Sequence, residues 1–223
     1  DGRINNRSYM VKPDGTIAAR YDKIHMFDVN LGAGKVYQES ATIAPGNLAV
    51  ISPCIEGSIG LSICYDLRFA GLYRTYAQAG AEMLATPAAF TRMTGEAHWH
   101  VLQRARAIEN GAYVIAPCQY GTLAGGSQCF GHSLIVDPWG RVLADGGDGE
   151  GVIVADIDLG CLHKAQQRMR QVAHLLGDGP ILVHFGAQHR LRVRQVHERI
   201  AQQRVVRLEI LHCLQLLVGD LSE

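Results

Sequence analysis

The sequence predicts a layered α/β domain, and three observations carry that expectation. An apolar run from Ile59 to Ile63 leads into a sharp turn, and the chain leaves it through Phe69 to Ala79 with helical spacing. Ala97 to Asn110 places Trp99, Leu102, Ala105, Ala107 and Ile108 at roughly helical intervals, with Gly111 positioned to cap the end. Through about residue 160, short strand signals alternate with such helices, and strands joined by crossover helices stack into layers.

In chain order, Ser8 to Val11 reads as a strand, Pro13-Asp14-Gly15-Thr16 as a turn, and Ile17 to Tyr21 as the returning strand. The Gly- and Ser-bearing stretch from Asp28 to Gly46 is expected to be a long loop of the kind that carries functional residues. Leu48 to Ser52 and Ser58 to Cys64 form the next strand pair. A helix is expected over Leu72 to Ala79, stopping at Gly80, then a short strand over Met83 to Thr86, ending at Pro87. Tyr113 to Ala116, Ser133 to Asp137 and Val152 to Ile157 complete the strands, with Pro138-Trp139-Gly140 as a hairpin turn.

At 223 residues the chain can bury a sizeable core as one domain. Its formal charge is zero and its acids and bases are interspersed, which argues against nucleic acid or a charged membrane surface as partner. No apolar run reaches the length of a membrane span, and none opens the chain as a signal peptide does. Six cysteines at irregular spacings, with no CxxC pair, argue against a disulfide framework or a zinc site and predict reduced thiols in the cytoplasm. His98 and His100 invite a metal reading. On a helix, however, positions i and i+2 face different ways, so one ion does not take both, and no cofactor is expected.

Cys64 ends the apolar run, where a turn after a buried strand presents a side chain and the following helix start offers backbone N–H donors. A thiolate there can attack a carbonyl or nitrile carbon. Taken alone, Cys64 reads first as a small buried core residue, which is what most free cysteines are. The balance shifts when Cys64-Tyr65-Asp66-Leu67-Arg68-Phe69 is read with Arg20-Tyr21-Asp22-Lys23-Ile24-His25-Met26-Phe27-Asp28, Gln38-Glu39-Ser40 and Phe90-Thr91-Arg92-Met93-Thr94-Gly95-Glu96-Ala97-His98-Trp99. Arg104 to Asn110 and Gly131-His132-Ser133 through Gly140 continue the series. Together these segments resemble the nitrilase superfamily of carbon–nitrogen hydrolases, and within it the Nit-type amidases, from about residue 5 to about residue 160.

The resemblance implies an α-β-β-α sandwich, an N-terminally truncated chain lacking the first strand and helix, and a homo-oligomer for the intact parent. It implies hydrolysis of the amide of a small carboxylate-bearing molecule, with release of ammonia. Cys64 would be the nucleophile that forms a thioester. Lys23 would face the oxyanion, with the Tyr65 backbone N–H as second donor, and Glu39 would orient Lys23 beside a desolvated pocket. Asp66 and Arg68 would sit at the pocket rim, Arg68 in contact with a substrate carboxylate or in a structural ion pair. Phe90 and Thr91 would form the pocket wall, and Arg92 is a second carboxylate partner. Glu96 and Glu109 are expected in helix-surface or buried ion pairs, and His132 in a structural role. The segment Gly95 to Leu102 looks closer to the branch associated with deaminated glutathione than to the ω-amidase branch. An N-carbamoyl amidohydrolase stays open, because the same triad serves it.

The family's catalytic glutamate lies upstream of the lysine, and residues 1–22 contain no glutamate, only Asp1, Asp14 and Asp22. The chain as written is therefore expected to lack a competent triad, and a non-catalytic fragment acting in binding or association is the other reading. Residues 161–223 diverge from the family. They read either as a frameshifted or fused tail, or as an amphipathic helix from about Gln188 to Val218 with Val193, Val196, Ile200 and Leu208 on its apolar side.

Overall fold

The computed structural model describes residues 2–158 except 33, 35, 55, 56 and 125, together with 160, 162 and 205–211. The first hairpin pairs β1 (Arg7–Val11) with β2 (Ile17–Asp22) around the expected turn. Asp28–Gly46 is not one long loop. It contains a second hairpin, β3 (Asp28–Asn30) with β4 (Val36–Gln38), and a 3-10 turn at Glu39–Ala41. Asp28–Asn30 and Val36–Gln38 are too short for a period and mix polar with apolar residues, which is why the sequence reads as loop there, whereas the equally short but wholly apolar Met83–Ala85 is legible.

The central sheet has six strands. β5 (Val50–Cys54) and β6 (Gly57–Leu61) form a hairpin, and a 3-10 turn at Cys64–Arg68 leads into α1 (Ala70–Gln78). β7 (Met83–Ala85) follows, then α2 (Arg92–Asn110), β8 (Tyr113–Ala116), the small hairpin β9 (Tyr120–Thr122) with β10 (Gln128–Phe130), β11 (Leu134–Val136) and β12 (Val142–Asp145). Neighbours run β12-β11-β8-β7-β6-β5, with β6, β7 and β8 parallel and the outer strands antiparallel. Parallel neighbours require crossover connections, and α1 and α2 supply them. Helix α2 starts at Arg92, more than a turn before the expected Ala97, and ends as expected at Gly111, whose φ of 56° closes the last turn.

Alternation along the strands sorts the core into two layers. Leu84, Val114, Ala116, Leu134 and Val136 face the helices, against Tyr73, Tyr76, Trp99 and Ala107. Ile59, Leu61, Met83 and Tyr113 face the other way, against Tyr21 of β2 and Ile157 of β13 (Val152–Asp158). Each such large side chain taken fully out of water contributes roughly 1.5–3 kcal/mol. The Tyr113 hydroxyl fixes β13 by donating to the Asp158 carbonyl (3.1 Å) and accepting from its N–H (3.0 Å). The sheet is thus covered by helices on one side and by strands on the other.

Val205–Leu211, β14, is a strand paired antiparallel with β13, so the helix reading for 188–218 fails over that stretch. The rest of that reading, over 188–204 and 212–218, lies outside the described residues.

Candidate active site

Cys64 stands just beyond the carboxyl end of β6, the edge at which open parallel sheets place their ligands. Below it, the Ser62 hydroxyl meets the Tyr73 hydroxyl (2.7 Å) and donates to the Ala85 carbonyl (2.7 Å), tying the strand end to α1 and β7. The Cys64 N–H donates to the Pro87 carbonyl at 2.9 Å. Its φ is 49°, a left-handed conformation that costs a non-glycine residue about 1–3 kcal/mol and marks a turn held by its surroundings. The helix start expected directly after it is a 3-10 turn instead. Tyr65 is the second residue of that turn, where the first N–H groups have no carbonyl within the turn to bond.

Asp66 does much of the holding. The rim position implied for it is wrong: the side chain is fully buried. Its carboxylate accepts from the Tyr21 hydroxyl (2.6 Å), the Ile63 N–H (2.9 Å) and the His25 N–H (3.0 Å), and meets His25 Nδ1 at 2.7 Å. A buried carboxylate persists only when so supplied with donors. These bonds join the Cys64 turn to β2 and to the segment after it.

Lys23 follows β2 and is 2% exposed. Its ammonium donates to Glu39 Oε2 at 2.5 Å. Glu39 lies in the 3-10 turn after β4, and it also accepts from the Phe27 N–H (2.6 Å) and the Asn6 side-chain amide (3.1 Å). The β3–β4 hairpin is therefore what carries Glu39 back to Lys23. Burial pushes the Cys64 thiol above the ordinary thiol range, Lys23 pulls it down, and Glu39 pushes it up. The structure so brings Cys64, Lys23 and Glu39 into one electrostatic unit.

Arg68 is half-buried, with its guanidinium 5.8 Å from the Tyr65 ring centroid and 5.5 Å from that of Phe90, and it donates to His98 Nδ1 at 3.3 Å. Phe90 is buried and packs on Trp99, and Thr91 stands at the N-cap position of α2 without a side-chain cap bond, its hydroxyl meeting that of Thr94 (2.7 Å). Arg92 is exposed and pairs with Glu96 along the helix, and Glu109 pairs with Arg106 at 2.7 Å, so both glutamates sit in ion pairs as expected. Asp14 is turned to Thr16, and Asp22 grips Arg7 through two bonds of 2.5 and 2.8 Å. His132 gathers with His100 and Asp145, with His100 45 positions and His132 13 positions before Asp145, a grouping for which the sequence carries no local signal.

The model of the Carbon-nitrogen hydrolase family matches residues 1–167, and the chain belongs to that family. Within the nitrilase superfamily its similarities fall in the Nit branch. It is 45% identical over 175 residues to the deaminated glutathione amidase of Synechocystis sp. (strain PCC 6803 / GT-S), covering 78% of this chain and 64% of that protein. It is 40% identical over 168 residues to the human omega-amidase NIT2, covering 75% and 61%. Among solved structures, the C. elegans NitFhit protein superposes with a TM-score of 0.70 at 36% identity, covering 78% of this chain and 42% of that one. Saccharomyces cerevisiae Nit3, a member of branch 10 of the superfamily, gives 0.66 at 34% identity, covering 74% and 57%. The chain spans less than two thirds of the length of these relatives. Among the described residues, no helix is long and apolar enough to cross a membrane.

Proposed function

We propose that the protein is an amidase that hydrolyses the terminal amide of a small carboxylate-bearing molecule and releases ammonia. The observation that supports this most is the buried Lys23 ammonium, locked on Glu39 and acting on the Cys64 thiol. In this reading the Cys64 thiolate attacks the amide carbonyl. The oxyanion forms between the Lys23 ammonium and the Tyr65 N–H. The proton given up by the Cys64 thiol passes to the nitrogen, which leaves as ammonia; in the intact parent the family's upstream glutamate would carry that proton. Water then hydrolyses the thioester, releasing the acid and restoring the thiol. Arg68, held over Tyr65 and Phe90, is the candidate partner for the substrate carboxylate, with Arg92 as the outer one. The 45% identity to a deaminated glutathione amidase supports deaminated glutathione as the first substrate to try. The exposed apolar residues Met93, Val101 and Ile108 of α2, and exposed Trp139, whose chain neighbour Gly140 lies against Ile108, support a homo-oligomer of the intact protein.

The test is ammonia release from deaminated glutathione and other ω-amides, with Cys64→Ser as the null enzyme. Release abolished by that substitution is the expected result. A protein extended to the full length of its relatives that is inert towards amides, N-carbamoyl compounds and nitriles alike would sink the reading. A second reading, binding without turnover by the 223-residue chain itself, is favoured by one observation: Asp14 and Asp22 are both engaged elsewhere and residues 1–22 hold no glutamate. Turnover by this chain near that of the extended protein would discard it.

A further inference from the structure

We propose that His100, His132 and Asp145 form a binding site for a divalent cation of the zinc class, independent of the hydrolytic reading. The residues come from three elements that the fold alone brings together: His100 from α2, His132 from the segment between β10 and β11, and Asp145 from the end of β12. Their ligand atoms, one from each residue, lie within 4.8 Å of one another. His100 Nε2 stands 2.9 Å from Asp145 Oδ2, and His132 Nδ1 stands 2.9 Å from Asp145 Oδ1. Around a tetrahedral ion with bonds of about 2.0–2.1 Å, ligand atoms stand about 3.3 Å apart, so the two His–Asp contacts of 2.9 Å would open slightly and the widest separation, within 4.8 Å, would draw in.

The donor chemistry selects the cation. Two imidazoles and one carboxylate form a borderline set that suits zinc and its transition-metal neighbours better than calcium or magnesium, which take oxygen. Three protein ligands leave a fourth position for water. The side chains are 35%, 29% and 34% exposed, for His100, His132 and Asp145 in turn, which leaves a path for the ion.

The cluster is also held as ligand sets are held. Asp145 Oδ1 accepts from the Gly147 N–H at 2.9 Å. His132 sits at a φ of 55°, its carbonyl accepting from the buried Trp99 indole (2.7 Å) and its N–H donating to the Gly147 carbonyl (2.5 Å). A non-glycine residue keeps such a conformation only where its surroundings over-determine it. The Phe130 ring stacks on the His132 imidazole at 4.5 Å, and His100 meets His132 edge-on at 5.2 Å. Backbone bonds at His132 and Asp145 and the rings beside the imidazoles restrain how the three side chains face one another.

The test is zinc titration of the 223-residue chain by calorimetry in a Cys64→Ser background, which removes the reactive thiol, with cobalt(II) as a spectroscopic stand-in. One equivalent of zinc and a cobalt spectrum of nitrogen and oxygen ligation are expected. His100→Gln and Asp145→Asn should each weaken binding at least about tenfold, with His98→Gln as an unaffected control. His100 lies on the half-exposed side of a helix, so its variant decides the matter if circular dichroism shows that Asp145→Asn disturbs the fold. Binding that ignores both substitutions, a thiolate cobalt spectrum, or no saturable uptake would each overturn the site, leaving an ordinary pair of imidazoles sharing a carboxylate.

Discussion

Lys23 and Glu39 meet at 2.5 Å in unequal surroundings, the lysine side chain 3% exposed and the glutamate 17%. That asymmetry makes the two halves of the pair differently expensive to lose. Glu39→Ala strands a buried ammonium and should destabilise the fold by about 3 kcal/mol. Lys23→Met should cost less, because Glu39 keeps the Phe27 N–H, the Asn6 amide and some water. Urea denaturation of the two variants checks the order, and the reverse order would mean that the pair is not what holds this corner.

The same pair governs the reactivity of Cys64. Its thiol is pushed up by burial and pulled back by Lys23, so the thiolate fraction rises with pH through a range above that of a free thiol, about 8.5. Haloacetamide labelling at Cys64 should therefore quicken with pH, and Lys23→Met should move its midpoint higher. Cys118, buried and pushed up to about 12, should stay unlabelled throughout the accessible range. Peptide mass mapping after labelling reads both. A midpoint that falls on removing Lys23 would refute the electrostatic unit.

What the sequence disclosed and what it hid follow from how local each signal is. Cys64 and the run before it are legible because a strand end and a turn are neighbours in the chain, and α2 is legible because nineteen residues give several turns of period. The β3–β4 and β9–β10 hairpins escape because their three-residue strands give no period and mix polar with apolar residues, whereas the equally short β7 and β11 are wholly apolar. Asp66 was misplaced for a different reason: its burial depends on Tyr21 and His25, which come from strands and turns more than forty positions away. The His100–His132–Asp145 cluster is invisible for the same reason, since only α2, the β10–β11 segment and β12 together create it.

Asp66 gives a sharper test of how the turn is built. Asp66→Ala removes the acceptor for the Tyr21 hydroxyl and for two backbone N–H groups in a fully buried place. Unsatisfied donors of that kind cost about 1–3 kcal/mol each, so thermal unfolding should show a loss of about 3 kcal/mol or more. Asp66→Asn keeps one acceptor oxygen and should lose less. In both variants Cys64 should label faster at a given pH as its turn loosens, whereas unchanged labelling with lost stability would show that the turn is held from elsewhere.

Two glycines, Gly60 in β6 against α1 and Gly71 within α1 itself, should respond with opposite signs to the same change. A Cβ on Gly60 would lie 2.6 Å from Cγ of Tyr76, closer than real carbons approach. Tyr76 is 1% exposed and its hydroxyl donates to the Leu61 carbonyl at 2.5 Å, so the ring has nowhere to retreat without giving up that bond. Gly60→Ala should therefore destabilise by about 1–3 kcal/mol through overpacking. Gly71 lies exposed in the first turn of α1 with open space where a Cβ would stand. Gly71→Ala should stabilise by up to about 0.5–1 kcal/mol, by lowering the backbone freedom lost on folding. Chemical denaturation of the pair measures both, and a neutral Gly60→Ala would mean that α1 can move off the sheet beneath Cys64.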